Sequence, residues 1–516
     1  MTTSTASINP RMRTTAYEAL LKRLNKIADL QSVQNLLQWD QDICLPDGAS
    51  QARSIQIGTI AEMQHELSSS NTTRLLIEAA EAELQAEGFD NDSDEVAMIN
   101  AARRDYQSKV CLPTELVSRF GTLVAEAQEV WQQARESSNF ALFQPYLTEL
   151  VELSRQKGRY LGFAEHPYDA LLDEYEPGMT ADELRSIFAP LKQRLLDLRG
   201  TFSTGAKIDD SFLRLNYSTE KQFEFCKRLL ESMGVANDYS RFDSHTSAFT
   251  TSIANCFDVR LTGRIVPDYL NMAIFSTIHE GGHALFDRGI NPAYARTPLA
   301  EIHSMGLHES QSRLWENLIG RSLQFWTYHY PILQATFPDQ LGKVTLEDFY
   351  RAINKVQNSQ IRLEADEISY SLHIILRFEL ELALIEGSLT VADLPAAWNQ
   401  GFEELFGTRP ENDSKGVLQD IHWAGGAFGY FPTYVLGNLI SAQLLQQIKL
   451  DIPTLEQNIS EGDFQPLRQW LSENVHRFGR KYQTKDLVMR ITKSPIDADA
   501  FCTYLDEKFS RIYQVH

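Results

Sequence analysis

Asp268-Tyr-Leu-Asn-Met-Ala-Ile-Phe-Ser-Thr-Ile-His-Glu-Gly-Gly-His-Ala-Leu-Phe-Asp-Arg288 contains no proline, and its apolar residues recur at three- and four-residue steps, the period of a helix with one face in a core. Pro267 separates it from Phe257-Asp-Val-Arg-Leu-Thr-Gly-Arg-Ile-Val266. There Val259, Leu261 and Ile265 alternate with Arg260, Thr262 and Arg264, as in a half-buried strand. The expected plan is a strand, a stop at Pro267, and a helix to about Arg288 with Gly289 as its C-terminal cap. Within the helix, His279-Glu280-Gly281-Gly282-His283 sets two imidazoles on one face, about 5–6 Å apart at their β-carbons, so both can reach one tetrahedral zinc. Glu280 stands aside from that cage, placed to take a proton from a water molecule beside the ion. Each central glycine costs roughly 1 kcal/mol relative to alanine in a helix interior, which suits a helix that a substrate or strand approaches closely.

A catalytic zinc keeps three protein ligands and one open position, so a third ligand must come from elsewhere. Glu309 is the candidate, in Leu307-His-Glu-Ser-Gln-Ser-Arg-Leu-Trp-Glu-Asn317. Leu314, Leu318 and Ile319 mark the core face of that helical pattern, while Glu309, Arg313 and Glu316 share a polar stripe. Periodicity equally allows a surface Glu309–Arg313 pair at i,i+4. Asp287 could accept from the free ring N–H of His283 or sit in solvent near the helix end.

Two further stretches carry polar residues where apolar ones would be ordinary. Ile361-Arg-Leu-Glu-Ala-Asp-Glu-Ile-Ser-Tyr-Ser-Leu-His-Ile-Ile-Leu-Arg-Phe-Glu-Leu380 reads as one largely buried helix, along which Arg362, Asp366, Tyr370, His373 and Arg377 rise at three- and four-residue steps. Unpaired buried charge is expensive, so the stripe either pairs with another helix or lines a wet cavity. In the second case Arg362 suits a carboxylate, held through two parallel hydrogen bonds. Gly416-Val-Leu-Gln-Asp-Ile-His-Trp-Ala-Gly-Gly-Ala-Phe-Gly-Tyr-Phe-Pro-Thr-Tyr434 crowds glycine and aromatic residues together. It is either an aromatic core turn or a segment whose backbone approaches a ligand while Gln419, His422, Tyr430 and Tyr434 supply donors to an oxyanion.

Helical periodicity extends from Thr15 through most of the chain, broken by short turn signals at Leu45-Pro-Asp-Gly48, Glu176-Pro-Gly-Met179 and Asn291-Pro292. The acidic run 81–95 reads as a solvated helix end and loop. With 516 residues and 43% hydrophobic content, the chain can bury a large core. Its 48 Lys+Arg against 69 Asp+Glu leave a charge of −21, which repels nucleic acid and anionic membrane surfaces. Five scattered cysteines without a C-x-x-C pair fit neither a disulfide framework nor a structural zinc site. No long apolar run or signal-like start occurs, and a soluble cytoplasmic protein is expected.

These blocks together resemble the carboxypeptidase Taq (M32) family of metallocarboxypeptidases, the thermostable-carboxypeptidase-1 type, over nearly the whole chain. Beside His279–His283, the resemblance rests on His308–Gln311, on Asp258-x-Arg-x-Thr262, on Ile361-Arg-x-x-Ala-Asp366 and on Gly416-x-x-Gln-Asp-x-His-Trp423. Leu37-Gln-Trp-Asp40 and Asp173-Glu-Tyr-Glu-Pro-Gly-Met179 are similar to further family landmarks. The resemblance implies a mainly α, zincin-like fold with a deep substrate groove and a small β-sheet beside the motif helix. It implies a flexible segment 1–13 and one catalytic domain over 14–516, two helical lobes flanking the groove. It makes Glu309 the third metal ligand and gives Arg362 the substrate's terminal carboxylate. His422 and Tyr434 become catalytic beside Glu280, with Gln419, Tyr430 and Arg260 binding substrate. A homodimer is implied, as is tolerance of cobalt or manganese in place of zinc. One departure stands out: Asp243-Ser-His-Thr-Ser-Ala-Phe-Thr250 has Ser247-Ala248 where the family shows His-Pro before Phe, with His245 close by.

The expected activity is zinc-dependent release of single residues from peptides with a free C-terminus, the peptide extending the Val259–Ile265 strand. A zinc endo-oligopeptidase or dipeptidyl carboxypeptidase, and a non-catalytic helical metal-binding protein, are the alternatives.

Overall fold

The computed structural model describes residues 15–203 and 207–515, so the expected flexible segment 1–13 lies outside the described residues. The fold is mainly helical, as expected, and one apolar cluster runs from Tyr17 in the helix Thr15–Ile43 to Tyr513 in the helix Asp499–Tyr513. Among the described residues no helix is long and apolar enough to cross a membrane.

The only strands among the described residues are β1 (Ser240–Ser244), β2 (Phe249–Ser252) and β3 (Val259–Gly263), in the order β1-β3-β2. β3 runs parallel to β1 and antiparallel to β2. Val259 and Leu261 are buried beneath Ala284 of the next helix, as their alternation predicts, but the strand ends at Gly263, before Ile265. Thr262, expected on the polar face, is fully buried because β2 covers that side and its Phe249 N–H donates to the Thr262 hydroxyl oxygen. Alternation identifies a strand without identifying its neighbours, and here the expectation fails: β3 is central, so both of its edges are taken and no peptide can extend it. β2 is an edge strand, and its Phe249 and Thr250 line the main cavity.

The motif helix runs from Leu270 to Gly289. Gly289 is not the left-handed cap expected; it is the last helical residue, and extended Ile290 follows. Its lack of a side chain serves close approach instead, since a β-carbon there would lie 2.5 Å from Cβ of His476. Gly281 and Gly282 follow the same logic with different neighbours. A β-carbon on Gly281 would meet the flexible ends of Met233 (2.7 Å) and Leu230 (2.9 Å). One on Gly282 would meet backbone, the Gln311 carbonyl oxygen and Ser312 Cα, both at 2.7 Å. Gly282→Ala is therefore expected to destabilise the fold by about 1–3 kcal/mol through overpacking. Gly281→Ala should lose much less, because its neighbours can move and alanine favours the helix. Denaturant melts of the two variants check this, and equal stabilities would refute it.

The stretch 361–380 is not one helix. Arg362–Glu364 form a 3₁₀ turn, Ala365 is extended, and the helix begins at Glu367 and ends at Glu386. Asp366 starts it: the carboxylate accepts from the Ile368 and Ser369 N–H groups, each at 3.0 Å, and caps the helix instead of continuing it.

Candidate active site

The helix Leu270–Gly289 and the helix Met305–Arg313 cross at Gly282 beside a cavity of about 750 Å³. Ser304 caps the second helix by accepting from the Leu307 N–H at 2.9 Å. Buried Glu176 accepts from the Gly306 N–H at 2.9 Å and from the Ser304 hydroxyl, placing a carboxyl group over the positive end of that helix. This anchoring was not read from the sequence, where Glu176 appeared only as part of a turn signal and of the landmark Asp173–Met179.

So held, the helix brings Glu309 to the two histidines. Glu309 Oε2 lies 3.6 Å from His279 Nε2 and 3.6 Å from His283 Nε2, and the ligand atoms of the three all lie within 4.8 Å of one another. The surface-pair alternative for Glu309 and Arg313 is replaced by an inward-facing pair: Arg313 Nε donates to Glu309 Oε1 at 2.6 Å, while Oε2 accepts from the Ser312 hydroxyl at 3.2 Å and faces the histidines. Arg313 Nη1 also donates to Glu316 Oε2 at 3.3 Å. Glu316 sits in the π-helical turn Leu314–Ile319 and pairs with His279 Nδ1 at 2.9 Å, fixing that ring's orientation. Burial would raise the Glu316 carboxyl, but Arg313 and His279 outweigh it and hold it down to about 2. Burial pushes the His283 ring well below the usual imidazole range, so at neutral pH it is uncharged and one of its two nitrogens keeps a free lone pair. For His279 burial is outweighed by the carboxylates of Glu309 and Glu316, which raise it.

Asp287 does not reach His283. It pairs with His308 Nε2 at 3.0 Å and accepts from the Ser252 hydroxyl at 2.8 Å, and His308 stacks on His283 with ring centroids 4.0 Å apart. Glu280 lines the cavity, and its Oε2 accepts from the Thr250 hydroxyl at 2.7 Å. Burial raises its carboxyl above the usual range.

Arg362 lines the same cavity from its 3₁₀ turn. Its Nε and Nη2 donate to Asp420 Oδ1 at 3.0 and 2.8 Å, and its Nη1 donates to the Tyr370 hydroxyl at 2.9 Å. Arg377, from the helix Glu367–Glu386, takes the other oxygen of Asp420, with Nε donating at 2.7 Å. The polar stripe thus does both things considered for it, pairing with another segment and reaching the cavity. Asp420, which joins the two guanidinium groups, was not singled out by the sequence reading, although it lies between Gln419 and His422, both singled out.

Tyr430 and Tyr434 also line the cavity. Burial pushes the Tyr430 hydroxyl up to about 12 and the Tyr434 hydroxyl well above its usual range, so both stay protonated at neutral pH. The other expected donors lie elsewhere. Gln419 accepts from the Arg362 N–H at 2.9 Å and donates to the Gln360 and Lys415 carbonyls, so it secures the Arg362 turn and does not reach the cavity wall. His422 stands behind the wall with Nε2 3.1 Å from the Tyr434 hydroxyl, and burial with the nearby Arg362 charge brings its ring down to about 4. Arg260 faces away: Asp258 binds its guanidinium at 2.9 and 2.8 Å, and it packs over the Trp39 ring. Ser247 and Ala248 line the cavity, while His245 packs against Phe249 outside the lining.

Two imidazoles and one carboxylate converging within reach of a single ion fit zinc or a neighbouring divalent metal in their mix of nitrogen and oxygen donors. The profile of the carboxypeptidase Taq (M32) metallopeptidases matches residues 19–509. The chain is 37% identical over 496 residues to carboxypeptidase 1 of Bacillus subtilis, spanning 96% of this chain and 97% of that protein. It is 38% identical over 509 residues to thermostable carboxypeptidase 1 of Thermus thermophilus, spanning 96% of this chain and 99% of that one. Among solved structures, the M32 carboxypeptidase from Deinococcus radiodurans R1 aligns with a TM-score of 0.93 at 35% identity, over 97% of this chain and 100% of that one. A match of this extent, on a fold that gathers these donors in one cavity, means that the chain belongs to the carboxypeptidase Taq (M32) family and is a metallocarboxypeptidase.

Proposed function

We propose that the protein is a zinc-dependent exopeptidase that removes single residues from peptides with a free C-terminus. His279, His283 and Glu309 hold the ion and Glu280 is the general base. The observation that carries this reading is the pairing, in one cavity, of a three-donor metal cluster with a buried guanidinium at Arg362. Three of the five N–H groups of Arg362 are taken by Asp420 and Tyr370, and the remaining two suit a carboxylate.

A bound divalent ion supplies Lewis-acid polarisation of the scissile carbonyl and acidifies a water molecule. Glu280, fixed by Thr250 at one oxygen, takes the proton of that water at the other and returns it to the leaving amine. Tyr430 and Tyr434, both protonated, donate to the oxygen on which charge develops. A neutral His422 donating from Nε2 to the Tyr434 oxygen leaves the tyrosine's own proton for the substrate. His422 and Gln419 thus act through Tyr434 and Arg362, not on the substrate. The family resemblance and the scattered free thiols support one cytoplasmic catalytic domain over 14–516, working as a homodimer and accepting cobalt or manganese.

Short peptides incubated with the metal-loaded protein should shorten by one residue from the C-terminus. Their C-terminal amides should lose at least about tenfold in kcat/KM, since a carboxylate–guanidinium contact is given up. Equal cleavage of acid and amide would favour an endo-oligopeptidase, and release of dipeptides a dipeptidyl carboxypeptidase.

A further inference from the structure

We propose that Arg377, which does not line the cavity, sets the charge of its carboxylate-binding end by sharing Asp420 and so leaving Arg362 a net cation toward the substrate. The inference rests on the reading of Arg362 as the anchor of the chain end.

Asp420 divides its oxygens between two guanidinium groups. Oδ1 serves Arg362, and Oδ2 serves Arg377, whose Nη2 lies 2.6 Å from it. Arg377 is 0% exposed; its Nη1 donates to the His373 carbonyl at 2.6 Å, and its guanidinium lies 4.6 Å from the Trp398 ring centroid. Arg362 is 4% exposed and lies 5.1 Å from the Tyr434 ring centroid. Two cations therefore face one anion among aromatic rings. The two nearby histidines leave the excess standing. His373 is held well below the usual imidazole range and His422 near 4, so both are neutral at pH 7. Glu381, one turn beyond Arg377, is pushed up to about 7 by burial, so it is part-ionised at pH 7, and its oxygens accept from Tyr168, Trp423 and the Gly429 N–H and not from either guanidinium.

A neutral Arg362–Asp420 pair would satisfy packing at lower desolvation cost than a triad with unit excess charge. It would also set the Asp420 carboxylate close to the incoming one, and that repulsion would cancel much of the attraction of Arg362. With Arg377 present the Arg362–Asp420–Arg377 triad carries one net positive charge in a low-dielectric wall, and an anionic chain end completes it.

The test uses the full-length, metal-loaded enzyme and a free-acid peptide. Arg377→Gln keeps a polar partner for Asp420 but removes the charge, and should raise KM by roughly tenfold while kcat changes by less than about threefold. Arg377→Lys keeps the charge and should hold KM within about threefold of the parent. Asp420→Asn combined with Arg377→Gln removes both charges, leaves Arg362 unopposed, and should recover most of the lost affinity. An unchanged KM in Arg377→Gln, or an equal rise in the Gln and Lys variants, overturns the proposal. If Arg377→Gln does not fold, the double variant decides: a KM as high as that of Arg362→Met overturns it, and a KM near the parent's supports it. Arg362→Met separates the two readings. An unchanged KM there rejects the anchor itself, whereas a raised KM beside an unaffected Arg377→Gln rejects only the role of Arg377.

Discussion

Glu280→Gln is expected to lower kcat by roughly 10²- to 10⁴-fold while the protein binds its full complement of metal. The amide has nearly the shape of the carboxylate and can still accept the 2.7 Å hydrogen bond from Thr250, so the cavity should keep its form. The lost function is proton transfer, because an amide oxygen cannot take a proton from water near neutral pH. Glu280 stands beside the metal cluster without being one of its three donors, and metal content should therefore be unaffected. Steady-state rates on a free-acid peptide, with metal analysis of the same preparation, check both halves. A variant keeping more than about a tenth of the parental kcat would place the base elsewhere on the cavity wall, where His308 is one other titratable side chain. A variant that lost its metal would instead mean that Glu280 belongs to the coordination cage. A non-catalytic metal-binding protein would show no turnover to lose.

How far the site could be read from the sequence depended on the span of each interaction. His279, Glu280 and His283 are fixed relative to one another by a single helical turn, so their spacing was sufficient. Glu309 needed more, since i,i+4 spacing to Arg313 gives the same pattern for a surface pair and for a buried brace. The structure contains the brace, turned inward by a helix that Gly282 allows to approach. Arg362 was found as a residue but misplaced on a continuous helix, because a capping aspartate and an interior one look alike in a periodic stripe. Arg260, Gln419 and His422 show the limit of motif reasoning. Each belongs to a block that marks the family, yet each spends its polar atoms on Asp258, on the Arg362 turn and on Tyr434, respectively. No local period could have paired Asp420 with arginines 58 and 43 positions before it. Strand order was equally hidden: alternation in 257–266 predicted β3 but carried no sign that β1 and β2 flank it on both sides.

Gly437→Ala is expected to weaken metal binding by roughly 10- to 100-fold, the usual consequence of disturbing what holds a ligand in place. The helix Pro432–Asp451 packs on the helix Met305–Arg313 at this glycine, on the side carrying Glu309. A β-carbon there would lie 2.6 Å from Glu309 Cγ, 2.8 Å from its Cβ and 3.1 Å from its carbonyl carbon. At 2.6 Å something must shift, and the atom with most freedom is Cγ, which carries the carboxylate. Its Oε2 sits 3.6 Å from both histidine nitrogens, and its Oε1 is held by Arg313 at 2.6 Å. Rotation at Cγ therefore disturbs the donor cluster and the brace together. The backbone cost of overpacking, about 1–3 kcal/mol, is partly offset by the roughly 1 kcal/mol that alanine gains over glycine in a helix. Metal-free stability should then fall by about 0–2 kcal/mol, while the extra stability conferred by metal shrinks by a further ~1.4–2.7 kcal/mol, since binding to the native state contributes in proportion to the logarithm of affinity. Chelator competition measures the affinity, and melts with and without added zinc measure the linkage. Gly282→Ala supplies the contrast, because its clash is with the Gln311 and Ser312 backbone and not with the ligand side chain. If Gly437→Ala binds zinc as tightly as the parent and loses only metal-free stability, Glu309 has room to repack without leaving the histidines, and the glycine serves helix packing alone.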